Sequence, residues 1–117
     1  MIIATLLLLP LLHYIADFEC QTDWMALGKS KRLLPLLTHV GIYSAWFLVA
    51  FGWQFGAITF ASHFLVDFFT SRWTSKLWAQ EKRHRFFCVI GLDQMIHSYC
   101  LLLTALFLMP VPFWWLL

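Results

Sequence analysis

The sequence predicts an all-α integral membrane protein, a bundle of four transmembrane helices forming one domain over residues 1–117. Three observations lead there. Hydrophobic residues make up 62% of the 117 and charged residues only 12%, against about 25% charged in an ordinary soluble domain. Apolar stretches of spanning length alternate with short polar connections. All 8 Lys and Arg residues fall in just two of those connections. A soluble domain of this size buries only about two-thirds of the surface its unfolded chain exposes, so lipid has to solvate the remainder.

A spanning helix takes about 20 mostly apolar residues. The first span is expected over about residues 1–20. It lacks the basic leader and small-residue cleavage site of a signal peptide and continues through His13 and Asp17, which predicts a retained helix. The second, about 33–51, follows Lys29-Ser30-Lys31-Arg32. Gly52–Gly56 is expected as a turn. The third, about 57–71, is short for a crossing and implies tilt or local thinning. Residues 72–85 are expected to connect it to the fourth span. They carry a short amphipathic stretch for the inner leaflet, with Trp73, Leu77 and Trp78 opposing Lys76, Lys82 and Arg83. The fourth span, about 86–109, ends at Pro110 and Pro112.

Lys29, Lys31 and Arg32 lie in the first basic connection, and Arg72, Lys76, Lys82, Arg83 and Arg85 in the second. The positive-inside rule then makes both connections cytoplasmic and both termini non-cytoplasmic. Trp114 and Trp115 would join the outer aromatic belt, and Trp24, Trp73 and Trp78 the inner one. The net charge of +2 is too small to imply a nucleic-acid partner. Cys20, Cys88 and Cys100 form no CxxC pair and read as packed thiols.

The chemistry resides in ionisable groups inside the spans: His13 and Asp17, His39, His63 and Asp67, Asp93 and His97. Each costs about 2.5–3.5 kcal/mol at the bilayer centre on insertion scales. Three helices place His and Asp four residues apart, on one face, the spacing by which a helix offers two ligands to a metal. Counted from the cytoplasmic ends, Asp17, His39, Asp67 and Asp93 lie about 8–12 Å deep, with His13, His63 and His97 a turn further in. Insertion does not require that alignment, whereas a shared site does. Interhelical hydrogen bonds are the plainer explanation, but they contribute only about 0.6 kcal/mol each in a measured case. A proton or ion relay is the other alternative.

Imidazole with carboxylate suits zinc first, with manganese or iron as alternatives. Seven candidate ligands exceed the three or four of one zinc site, which makes room for two metals sharing Asp17 or Asp67. Asp17 and Asp93 are the candidate catalytic carboxylates. Gln21, four residues beyond Asp17, and Lys29 and Arg72 at the mouth are candidate substrate contacts. Gln94 points about 100° from Asp93 along a helix and reads as a packing or helix–helix contact.

An internal echo, His13-Tyr-Ile-Ala-Asp17-Phe18 against His63-Phe-Leu-Val-Asp67-Phe68, suggests two like-oriented helical hairpins. The run from His13 through Gln21, Trp24 and Lys29, with Thr38-His39, His63-x3-Asp67 and Asp93-Gln94-x2-His97, resembles the bacterial and phage family known as domain of unknown function 3307. That resemblance covers nearly the whole chain, implies a bacterial inner membrane and carries no activity. More distantly, the HxxxD pairs are similar to those of small inner-membrane proteins described as metal-dependent hydrolases.

Three functions compete at this stage. One is a hydrolase acting on a phosphoester or lipid headgroup at the cytoplasmic leaflet. The second is a metal-ion or proton transporter or sensor, and the third a small regulatory protein with a structural metal. The lipid bilayer is the expected partner, and four short helices of this kind can pair as a homodimer.

Overall fold

The computed structural model describes residues 2–108 and is entirely helical in its regular structure. α1 (Ile2–Tyr14) passes without a break into a π-helical turn (Ile15–Glu19), followed by the short α2 (Asp23–Gly28), α3 (Leu33–Phe51), α4 (Trp53–Ala79) and α5 (Arg83–Leu108). α3 packs along α4 and α4 along α5. α1 lies against α5 and, together with its π turn, against α3. The four long helices therefore form a ring in which α1 and α4 share one diagonal and α3 and α5 the other.

Local chemistry sets the boundaries. Pro10 sits inside α1, where it has no N–H to donate. The widened turn that follows closes with Cys20 N–H donating to Ile15 O at 2.9 Å, five residues back. Thr22 caps α2, its hydroxyl accepting from Met25 N–H at 3.4 Å. Gly52 alone separates α3 from α4, with φ +95°, a conformation that favours a residue without Cβ.

Several expectations change. The turn at Gly52–Gly56 shrinks to Gly52, and Gly56 lies inside α4. α4 does not stop near residue 71 but continues to Ala79. No helix breaker interrupts Ser71–Ala79, so the expected amphipathic stretch is the last turns of α4, joined to α5 by Gln80–Lys82. Asp23–Gly28, outside the expected spans, is helical as α2. None of the three cysteines is fully buried, and Cys88 is exposed. The end of span four near residue 109, with Pro110, Pro112, Trp114 and Trp115, lies outside the described residues.

Among the described residues, two helices suffice by length and composition to cross a membrane, α3 and α5, each with a best-window mean hydropathy of 1.6. α1 falls short on α-helical length, at 13 residues, and α4 carries Gln54, His63 and Asp67 within its apolar part. The alternating helix directions gather all 8 Lys and Arg residues at one end of the bundle. Toward the opposite end the interior is apolar, built from Leu9, Leu12, Phe47, Phe55, Leu101 and Ala105. Phe47 and Phe55 stack there at 5.7 Å. Thr59, Ser44 and Thr104 return their hydroxyls to carbonyls of their own helices, leaving little polarity in that half.

Candidate metal centre

The polar residues converge between the apolar plug and the basic end. The π turn supplies Asp17, α3 supplies His39, α4 supplies His63 and Asp67, and α5 supplies Asp93 and His97. All six are buried. π turns are rare and recur at functional sites, and this one holds Asp17.

Four atoms, Asp17 Oδ1, His39 Nε2, His63 Nε2 and Asp67 Oδ2, face one another. His39 Nε2 lies 3.1 Å from Asp17 Oδ1 and 3.3 Å from Asp67 Oδ2. His63 Nε2 lies 3.3 Å from Asp17 Oδ1, 3.6 Å from Asp67 Oδ2 and 3.1 Å from His39 Nε2. A tetrahedral site with metal–ligand bonds of about 2.0 Å has edges of about 3.3 Å. Five edges of the set fall around that value. Two imidazole nitrogens and two carboxylate oxygens share one point, an arrangement that suits a cation. The buried cluster is therefore able to hold a metal ion.

The surroundings fix this geometry. The His63 ring is sandwiched between Tyr43, at 3.8 Å, and His97, at 4.0 Å. Stacking thus orients His63, whose buried Nδ1 has no hydrogen-bond partner among the described residues. Lys29 Nζ donates to Asp67 Oδ2 at 2.8 Å. Lys29 directly follows α2, which lies close to α3 because Gly28 has no side chain: a Cβ there would come within 2.7 Å of Pro35 Cγ.

A cavity of about 500 Å³ opens beside the cluster on the basic side. Asp17, Asp67 and Asp93 form part of its wall, together with Gln21, Lys29 and Ser71. Phe18, Leu27, Trp78, Phe86 and Ile90 give the rest an apolar lining.

Among the residues singled out in the sequence, His13 stands one step back. Its Nδ1 pairs with the Tyr43 hydroxyl at 2.9 Å and its Nε2 with Gln94 Oε1 at 2.8 Å, while Asp17 Oδ2 is 3.8 Å away. Gln21 and Lys29 reach the cavity wall. Arg72 is placed elsewhere: its guanidinium donates to Phe68 O at 2.7 Å and covers the Phe68 ring at 3.7 Å.

Sequence reasoning missed three members. Gln94 does make a helix–helix contact, but at the cluster itself: its Nε2 donates to Asp17 Oδ2 at 2.9 Å and Asp93 Oδ2 at 3.1 Å. Thr70 donates to Asp93 Oδ1. Tyr43 supports both His13 and His63. Tyr43 lies four residues after His39, and Thr70 three after Asp67, so helical spacing placed both on the faces already marked.

Neither a curated protein nor a solved structure matches the chain. The family described as protein of unknown function (DUF3307) matches residues 3–115, and the chain belongs to that family.

Proposed function

We propose that the chain is a membrane-embedded, metal-dependent hydrolase acting on a phosphoester or lipid headgroup at the cytoplasmic leaflet. The observation that carries this reading is that the carboxylates of the four-residue cluster also wall a cavity of about 500 Å³. Four protein ligands fill a tetrahedral shell, so a position for substrate has to come from a fifth coordination on the cavity side, an expansion that catalytic zinc allows. Zinc fits the nitrogen and oxygen donors, with manganese and iron as alternatives. Asp17, His39, His63 and Asp67 would hold the ion, which would supply a Lewis acid for a phosphoryl group.

The chain's own residues do the remaining work. Lys29, which a bound ion would displace from Asp67 Oδ2, would present its positive charge at the cavity wall to an anionic group. The apolar lining accepts a hydrocarbon chain and excludes water around the headgroup. Asp93, on the wall and outside the four-ligand set, is the carboxylate available as a proton acceptor, whereas Asp17 is taken up as a ligand.

The cytoplasmic assignment takes the bundle to cross the membrane four times. Large apolar side chains face outward on every long helix, among them Leu7 (71% exposed), Val49 (83%), Leu65 (58%) and Phe107 (79%), and water would solvate such a surface poorly. The π turn extends the first span to Glu19, and α4 is 27 residues long, about 40 Å at 1.5 Å per residue. With the basic end inside, the cavity faces the cytoplasm of a bacterial inner membrane. Transport or sensing is the weaker reading, because Phe47, Phe55 and Leu101 fill the bundle beyond Tyr43.

The test is reconstitution into liposomes carrying phosphatidic acid or a polyprenyl phosphate, following phosphate release together with metal and proton flux. Chelator-sensitive release that disappears in Asp93→Asn is expected. Chelator-sensitive flux without product would replace hydrolysis with transport.

A further inference from the structure

The tetrahedral cluster uses only one oxygen from each of its aspartates. Asp17 turns Oδ1 to His39 and His63, while its Oδ2 faces Gln94 and His13. Asp67 turns Oδ2 to His39 and His63, while its Oδ1 lies 3.2 Å from His97 Nε2. His97 Nε2 is also 3.4 Å from Asp93 Oδ1, a separation close to the edges of the first cluster. Asp17, Asp93 and His97 offer ligand atoms that all lie within 4.8 Å of one another. Thr70 fixes one oxygen of Asp93 and Gln94 the other, the kind of support that orients ligands.

We propose a two-ion centre whose second ion is held by Asp93 and His97, with Asp17 bridging, and which fills together with a phosphate dianion in the adjoining cavity. The inference rests on the metal-dependent reading above and deepens it. In this arrangement Asp93 is a ligand rather than a free base.

Charge ties the second ion to an anion. Metal ligands are ionised carboxylates and neutral imidazoles. Three aspartates and Lys29 therefore leave two negative charges, which a single divalent ion cancels. A second ion leaves two positive charges in a buried site, a costly state unless a counter-charge enters. The cavity is where one can enter. Ser71 Oγ and Gln21 Oε1 are both buried there without a partner among the described residues. A serine hydroxyl can donate to a phosphate oxygen, as can the amide end of Gln21 if turned over. Carboxylate-bridged ion pairs are a recurring means of clamping phosphoester groups.

The experiment takes the full chain in detergent, stripped of metal and titrated with Mn²⁺. Three titrations are compared: Mn²⁺ alone, with inorganic phosphate, and with phosphatidic acid in the micelle. Bound metal per chain and the electron paramagnetic resonance spectrum are read. Two ions per chain and an exchange-coupled spectrum are expected, with affinity for the second ion raised about tenfold or more by a phosphate group, a usual size for coupled sites. Which phosphate source raises it separates a free dianion from a lipid-borne one. Asp93→Asn and His97→Gln should each hold one ion with an uncoupled spectrum, so one folded variant is enough.

Saturation at one ion with phosphate present, or two ions retained in the folded variants, overturns the two-ion centre. No response to either phosphate source overturns the coupling. Turnover on the same samples tests hydrolysis separately: chelator-sensitive release with one ion would remove the second ion alone, and two coupled ions without release would remove hydrolysis alone.

Discussion

Replacing Lys29 by Met removes the one ammonium that touches the cluster among the described residues, while keeping much of its length and packing. Lys29 Nζ is 2.8 Å from Asp67 Oδ2, with side-chain exposures of 17% and 2%, so solvent screens this pair only slightly. Deleting one partner of a buried ion pair typically costs about 3–5 kcal/mol, because a buried charge is left uncompensated. The partial exposure of Lys29 points to the lower end, about 3 kcal/mol. That penalty applies to the metal-free protein, because a metal ion on Asp67 takes over the neutralisation. Lys29 and the metal therefore oppose each other, and removing Lys29 should tighten metal binding by the same free energy, about a hundredfold in affinity. The assay is unfolding in mixed micelles by denaturing detergent, with zinc and with chelator, for both proteins. Lys29→Met should unfold much earlier with chelator and approach wild type with zinc. Equal stabilisation of both proteins by zinc would refute the idea that Lys29 compensates the site.

Three further outcomes are expected. His63→Ala combined with Asp67→Ala removes two ligand atoms of the tetrahedral set and should abolish stoichiometric metal, measured by elemental analysis of detergent-purified protein; a full equivalent in that variant would take both residues out of the ligand set. Single cysteines at Lys31 and Lys82, in a background without the native three, should react with an impermeant maleimide only from the cytoplasmic side of membranes, and labelling from outside would invert the topology. Phe55→Ala should lose about 3–5 kcal/mol by opening a cavity in the plug, read by the same micelle unfolding, and a loss below about 1 kcal/mol would mean that the plug repacks or is not a tight core.

Much of the site was legible because charge in an apolar stretch is costly and therefore conspicuous. His39 and the three His/Asp pairs stand out against their spans, and their four-residue spacing predicts shared faces. Polar groups that support the cluster without standing out were hidden. Tyr43 reads as one more aromatic in an apolar helix. Gln94 reads as a packing or helix–helix contact, but its place in the site was hidden because the site lies between helices: Asp93 is held by Thr70 of α4, while Gln94 reaches His13 of α1 and Asp17 of the π turn. The π turn was illegible, since tertiary packing rather than propensity decides where a helix widens. Arg72 was placed at the mouth by its position alone, and the structure turns its side chain back onto Phe68. The length of α4 was misjudged because basic residues mark where a span leaves lipid, not where a helix ends.

The claim on which the rest depends is that Asp17, His39, His63 and Asp67 hold a transition metal. X-ray absorption at the zinc edge, on protein purified with zinc and washed of loose metal, tests it most directly. About four nitrogen and oxygen neighbours at about 2.0–2.1 Å, with the outer-shell scattering of imidazole, are expected. A first shell containing sulfur at about 2.3 Å, a shell without imidazole scattering, or protein that retains no zinc would contradict it.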